Sequence, residues 1–399
     1  MLTNPRRYII LLALIFLTTN ALPQSRNPTK VSIIAYGAKS NGDFDNTKAI
    51  TDAINAADTI IIPKGNFKIG HQVYIRGKSN KTIIATGSTI INTDDSVGSF
   101  FFENCNNITV QGGTWTRLRI PENIGKTGKE HTFTFETCKQ VTVKNVFING
   151  SPQMGISLMN VITASIIGNR IQNCFRDGIY AHYSANLKYL NNTLNNIKDD
   201  AMSVHDYGIA SQKKVLFANG YKQAGHVMVS GNVTTNTYQG FSSIGCIDVK
   251  ITNNRFSNTV NAGIAVFNTE HLFPGYTSRA RNILVSGNTL TGNGYSQFIL
   301  NKMYDNLGQL SSGRCAIYIA VNDKEDFIRH PLTRITNVIV IANTIDSCAV
   351  NGTYMAQIDG LIFKNNSFNR CNLVKSTYTT KTIEISACTG KQISKNIVR

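Results

Sequence analysis

From about residue 80 onward one short pattern keeps returning: apolar, x, apolar, x, x, Asn, apolar, or a close variant. It reads VTVKNV, ASIIGNRI, LKYLNNTL, VMVSGNV, VKITNNRF, ILVSGNTL, VIVIANTI, LIFKNNSF and QISKNIV, with its asparagine at Asn145, Asn169, Asn192, Asn232, Asn254, Asn288, Asn343, Asn366 and Asn396. The spacings are 24, 23, 40, 22, 34, 55, 23 and 30, a period near 23 broken by insertions. A unit this short cannot bury its own apolar face, so copies must stack as a solenoid. Apolar residues alternate with period two inside each unit, and Gly, Asn, Asp and Ser separate the runs, which selects strands over helices. Regular leucines of a leucine-rich repeat are missing from runs such as ITNNRF. The expected fold is all-β, a single-stranded right-handed parallel β-helix with successive coils about 4.8 Å apart.

Stacking gives the asparagines a structural task. Asn tolerates unusual backbone angles at a bend and passes amide hydrogen bonds along a column. Cys174, Cys348 and Cys371 each follow a marker Asn by five residues and so share one column. The eight cysteines form no CxxC pairs of the zinc type and are expected as buried thiols. Cys348 and Cys371 lie one coil apart, where export would permit a disulfide.

The first 25 residues, MLTNPRRYIILLALIFLTTNALPQS, have a basic start, a short apolar run and small residues before a cut near Ala21. Residues 1–21 are therefore expected to be a secretory signal and 22–399 the β-helix domain, with 30–80 its N-terminal cap and first coil. The expected location is secreted or periplasmic, with no membrane span. Removing the signal deletes two arginines and no acid, which takes the formal charge from +17 to +15. Such a field favours anionic partners. Export and the lack of a Lys/Arg-rich run exclude nucleic acid from the expectation, leaving a polysaccharide or oligosaccharide substrate that an anionic character would suit, met by a monomer.

The coil stack needs a cap, since an open sheet edge invites aggregation. Asp45 or Thr47 can start a short capping helix whose Ala49, Ile50, Ala53, Ile54 and Ala57 share one face. The whole stretch SIIAYGAKSNGDFDNTKAITDAINAADTIIIPKGNFKIG resembles the first segment of pectin-lyase-like parallel β-helix proteins, with its Tyr-Gly-Ala, Gly-Asp, Asp-x-Thr-x-Ala-Ile and Pro-x-Gly signals. With the repeats, the resemblance covers nearly the whole of residues 22–399. It implies the fold and leaves the chemistry open, because hydrolases, lyases, epimerases and tailspikes share that architecture.

The chemistry-bearing stretch is residues 173–208, which matches itself at a shift of 23: Asp177 falls on Asp200, Ile179 on Met202, Ala181 on Val204 and His182 on His205. Alternation turns Ile179, Ala181, Met202 and Val204 inward and Tyr180, His182, Ser203 and His205 outward. The same column holds Met154 before and Gln239, Ala262 and Cys315 after, so the acids occupy two adjacent coils and are not required by the architecture. Carboxylates one rung apart repel, which raises at least one pKa and creates an acid and base pair suited to glycoside hydrolysis.

The spacing RDGI, then KDDAM, is similar to the Asp-Gly and Asp-Asp signatures of polygalacturonase-type and related β-helix glycoside hydrolases, and DDAMSVHDYG resembles the DDA-x-x-VH run of β-helix galactosidases. That resemblance implies Asp200 as general acid, Asp177 and Asp199 around the attacking water, and inversion at the anomeric centre. His205 joins the catalytic candidates, with Tyr180, His182, Arg176, Tyr207 and His226 as substrate-binding candidates. His226 stands where a Gly-His-Gly is sought, but Ala265 and Phe267 stand where those enzymes carry the Arg-x-Lys that grips a uronate.

Structural readings stand beside these. Asp-Gly and Asp-Asp are ordinary turn formers, and Arg176 stacks on Asp199. The only tryptophan, Trp115, is either core packing or a sugar platform. Insertions between Asn192 and Asn232, Asn254 and Asn288, and Asn288 and Asn343 carry Lys213, Lys214, Tyr221, Lys222, His271, Tyr276, Arg279, Tyr304, Arg329 and His330, suited to a groove wall or to solvated loop. Two further functions remain: a polysaccharide lyase acting on a uronate-containing glycan, and a non-catalytic, tailspike-like binder of carbohydrate. No cofactor or metal is expected for hydrolysis, and calcium would enter only with a lyase.

Overall fold

Each coil places the same residue type at the same corner, and that periodicity appears in space as parallel pairing throughout. The computed structural model describes residues 29–208, 222–268, 278–295, 315–321, 334–373 and 381–399. All described strand pairs are parallel, in one 13-stranded sheet and one 22-stranded sheet whose longest strands turn through a corner and serve two faces. The result is a right-handed parallel β-helix. The signal expected over residues 1–21 lies outside the described residues.

The cap is the helix Thr47–Ala56, with Ala49, Ile50, Ala53 and Ile54 buried against the first coil. Its N-cap is Asn46, one residue away from either expected position. The Asn46 amide is occupied with the carbonyls of Lys39, Phe44 and Lys68, while Asp45 accepts from the backbone N–H and hydroxyl of Thr47 and from Gly70 N–H. The interior is one continuous core that includes Ile156 and Leu158 and, with them, Ile179, Ala181, Met202 and Val204, the four residues that alternation turned inward. Trp115 belongs to this core: it is fully buried, its indole N–H donates to Gly112 carbonyl at 2.9 Å, and it meets Phe100 and Phe133 edge-on.

The asparagine column is a hydrogen-bonded ladder. From Asn169 through Asn192, Asn232, Asn254, Asn288, Asn343 and Asn366 to Asn396, each side-chain NH2 donates to the next side-chain oxygen at 2.9–3.0 Å. The same oxygen also accepts the backbone N–H of the preceding Asn, as in Asn192 to Asn232 at 2.9 Å. Asn145 is not a rung. The ladder ends on Val146, whose N–H donates to Asn169, and Asn145 stands one residue earlier in a column of positive φ with Gly168, Asn191, Gly231 and Asn253. The spacing of 24 was thus a true spacing of 23 read one residue out. All eight cysteines are thiols, and Cys348 and Cys371 are neighbours across one rung, their thiols hydrogen-bonded.

Asn232→Ala would strip the acceptor from the Asn192 backbone N–H and from one of its two amide hydrogens, the other staying on Ile166 carbonyl, and would leave both buried and unpaired at about 1–3 kcal/mol each. It should lower the melting temperature by many degrees. Asn145→Ala removes only a left-handed preference, about 1–2 kcal/mol, and should shift the melt far less in the same calorimetric comparison.

Candidate active site

The corner that precedes the strands Ile179–His182 and Thr193–His205 has to be tight. Gly178 sits where a Cβ would come 2.6 Å from the carbonyl oxygen of Ala201, so a glycine follows Asp177 for steric reasons. The acid itself answers no such need. Ile179 pairs with Met202 and His182 with His205, and Gly178 N–H donates to Asp200 carbonyl at 3.0 Å. Asp177 and Asp200 therefore occupy the same corner in adjacent coils. On the next rung Gln239 takes that place, paired directly with Asp200.

Both acids are almost completely buried. Asp177 accepts a short hydrogen bond from the Ser203 hydroxyl, and Asp200 accepts from the Gln239 amide at 2.8 Å. Asp199 lies less deep and is ion-paired with Arg176 at 2.9 Å. Burial, and then the charges of Asp199 and Asp200, push the Asp177 carboxyl well above the usual carboxylate range, against smaller opposing effects of Arg176 and Ser203. One carboxyl of the trio thus holds its proton where an ordinary aspartate would have lost it.

The outward side of the same strands carries an aromatic box. His182 stacks on Tyr183 with ring centroids 3.9 Å apart, and Tyr207 crosses His182 edge-on at 4.7 Å. Tyr180 meets His205 edge-on at 5.3 Å. His205 Nδ1 is 3.0 Å from the Tyr207 hydroxyl, and its Nε2 is 3.8 Å from Asp200 and 3.4 Å from Ser242. Alternation aimed Tyr180, His182, Ser203 and His205 correctly, but they are not a solvated face: all four are buried, because the rings cover one another. Burial lowers His182 to about 4 and His205 to about 3, the latter helped by His182 and Arg176, so both imidazoles are neutral near pH 7. His182 Nε2 is buried with no hydrogen-bond partner among the described residues.

Asp177, Asp199, Asp200, His205, His182, Tyr180, Arg176 and Tyr207 thus converge. His226 does not join them. It lies on the 13-stranded sheet in the strand Gly225–Ser230, at a left-handed φ of 55°, half-exposed and 3.0 Å from Asp248. Its column holds Asn186, Asp248 and Asn282, all with positive φ, so a backbone demand explains the position. Of the expected groove-wall residues, only Tyr207, Lys222 and Arg279 fall among the described residues. Sequence reasoning turned Ser203 outward and placed Gln239 in the acid column without giving either a role, and it did not single out Ser242 or Tyr183, although register with Ser203 would have found Ser242.

A further buried carboxylate organises the edge of the site. Asp206 accepts from Gly208 N–H at 2.8 Å, Ala224 N–H at 2.6 Å and the Ser278 hydroxyl at 2.6 Å. It ties the chain where it leaves the site at Gly208 to where it returns, and to a segment two coils on.

The family model described as "Periplasmic copper-binding protein (NosD)" matches residues 51–299, well over half of the chain. The chain belongs to the NosD family. Other likenesses of this NosD-family chain run to β-helix proteins of different function. It is 26% identical over 198 residues to a sequence named Probable polygalacturonase from Arabidopsis thaliana, covering 42% of this chain and 44% of that one. It is 25% identical over 302 residues to Plasmin and fibronectin-binding protein A of Streptococcus pneumoniae, covering 65% and 39%. The chain spans less than half the length of both curated relatives. Among solved structures it superposes on the Family 28 exopolygalacturonase of Yersinia enterocolitica with a TM-score of 0.63, 14% identity and coverage of 93% and 78%. At that identity the likeness establishes the fold, that of the pectin-lyase-like β-helix proteins.

Copper favours thiolate, thioether and imidazole ligands. Among the described residues no three His, Cys, Asp or Glu side chains converge on a point that could hold a metal ion. The thiols come together at most in pairs, Cys105 with Cys138 and Cys348 with Cys371, and the His205 ring is already engaged by Tyr207, Ser242 and Asp200. The described residues do not fit a copper centre.

The titrations give opposite slopes. His182 and His205, held neutral, cost stability as pH falls from their unfolded value near 6.5 toward 4 and 3. Asp177, held protonated, costs stability as pH rises above the unfolded carboxyl value of 3.8. Melting scans should show wild type losing stability relative to Asp177→Asn as pH rises from 4 to 8, and relative to His205→Gln as pH falls from 6.5 to 4.

Proposed function

We propose that this NosD-family chain is an exported glycoside hydrolase acting through Asp177, Asp199 and Asp200. The observation that carries the reading is the stacked corner: Asp177 and Asp200 share one position in adjacent coils, Asp199 stands beside them, and burial with mutual repulsion keeps a proton on Asp177. Cleavage of a glycosidic bond needs one carboxyl as acid and another as base or nucleophile. Asp177 is the group that holds the proton. This differs from the assignment the resemblance implied, in which Asp200 was the acid. In our reading Asp200, fixed by Gln239, and Asp199, fixed by Arg176, face the attacking water.

His205 is a positioning residue: neutral and wedged between Tyr207 and Asp200, it steers the latter without adding charge. Tyr180, His182 and Tyr207 supply the apolar ring faces on which a sugar packs. The strongly basic composition and the expected export signal suit an extracellular or periplasmic glycan as substrate.

A panel of neutral, uronate and sulfated glycans tests the reading, with new reducing ends and the ultraviolet absorbance of unsaturated uronates followed together. We expect reducing ends without that absorbance. Asp177→Asn and Asp200→Asn should lower kcat by roughly 10²–10⁴-fold, and His226→Ala should leave it within twofold. Absorbance rising with cleavage would make the protein a lyase, and no cleavage of any substrate would leave a carbohydrate-binding protein.

A further inference from the structure

The two directions away from the acids along the helix axis differ sharply. On the C-terminal side, the outward positions that continue Ser203 are Ser242, Ala265 and Tyr318, and those that continue His205 are Ile244, Phe267 and Ala320. All six are buried. Ala265, Phe267, Tyr318, Ala320 and Ala356 belong to a second apolar cluster outside the coil, against which Tyr207 and Tyr354 pack, with Tyr318 and Tyr354 stacked at 5.3 Å. Three consecutive rungs are thus filled by packing where a groove floor would need open surface.

On the N-terminal side the positions that precede Tyr180 are buried but polar, and those that precede His182 open outward. Tyr180 is preceded by Ser157 and Thr134, whose hydroxyls are buried without hydrogen-bond partners among the described residues. His182 is preceded by Met159, which is partly exposed, and Glu136, which is exposed. Beside these rungs the 118–131 connection walls a cavity of about 510 Å³, lined by Ile120, Lys126, Glu130 and Pro152 among others. It is anchored next to the acids: Gln153 donates to Gly125 carbonyl at 2.8 Å, and Arg176 N–H donates to Gln153 carbonyl at 3.3 Å. The volume falls within the roughly 300–1,000 Å³ of small-molecule sites.

We propose that the acid corner is the blind end of a groove, so that the protein trims sugar units from a chain end while the remainder of the glycan lies over the coils N-terminal to the acids and in the 118–131 cavity. The inference rests on the hydrolase reading above and specifies where that reading lets a substrate lie. A chain cut internally would have to continue across Phe267 and Tyr318, which are already covered. Water adds across one terminal glycosidic bond: its oxygen goes to the anomeric carbon, the leaving oxygen takes a proton, and no further reactant is needed.

The test uses whichever polymer of the panel is cleaved, with viscosity read against reducing ends, and a labelled hexasaccharide of the same linkage. We expect one product size and a single shortened chain at early times, with viscosity falling slowly. Ile120→Trp or Lys126→Trp, both at exposed positions, should fill the cavity and raise KM for the hexasaccharide about tenfold, a far larger change than either makes for the disaccharide. Products of several lengths from the first time points with a steep fall in viscosity, or an unaltered hexasaccharide KM in both variants, would overturn the blind groove while leaving hydrolysis standing. No cleavage anywhere on the panel would overturn the hydrolase reading and this inference with it.

Discussion

Parallel register at one-rung spacing sets each side chain against its equivalent in the next coil, and the rest of this molecule follows from what such neighbours do to each other. Like meets like at about 4.8 Å. For asparagine this is favourable, since an amide carries both donor and acceptor, and the ladder from Asn169 to Asn396 satisfies side chain and backbone together. For aliphatic residues it gives the continuous core. For carboxylates it is unfavourable: burial and the charge of Glu103 on the adjacent rung raise Glu136, and at the buried corner Asp177 stands against Asp200.

That cost is also what makes the corner useful. Two buried carboxyls one rung apart, with a third beside them, cannot all ionise as free aspartates do, and the deepest keeps its proton. The neutral imidazoles of His182 and His205 add no positive charge to relieve it. Relief comes from hydrogen bonds instead, from Ser203 to Asp177 and from Gln239 to Asp200, and from Arg176 at the outer edge. Asp206 fixes the chain on either side without entering the trio.

Much of this was legible in the sequence because a solenoid turns spacing directly into contact. The 23-residue shift placed Asp177 over Asp200 and His182 over His205, and alternation chose the outward residues correctly. The failures have local causes. Asn145 was read one residue out because a left-handed corner also selects asparagine, and His226 was drawn into the site by its sequence neighbours while its column is a backbone-driven corner. The depth of Tyr180 and His182 could not be foreseen, since it depends on Tyr183 and Tyr207 folding over them from outside the strand. The apolar cluster around Phe267 was visible only as an absence of the expected basic pair.

The most direct test of the central claim follows the aspartate side-chain carboxyl carbons by NMR during a pH titration, in wild type and in Asp200→Asn. Our account requires one aspartate, Asp177, to remain protonated well above the ordinary carboxyl range, and to titrate at lower pH once its neighbour's charge is removed. If every aspartate titrates near its ordinary value, or if removing Asp200 leaves Asp177 unmoved, the stacked acids are not the coupled pair on which the account depends.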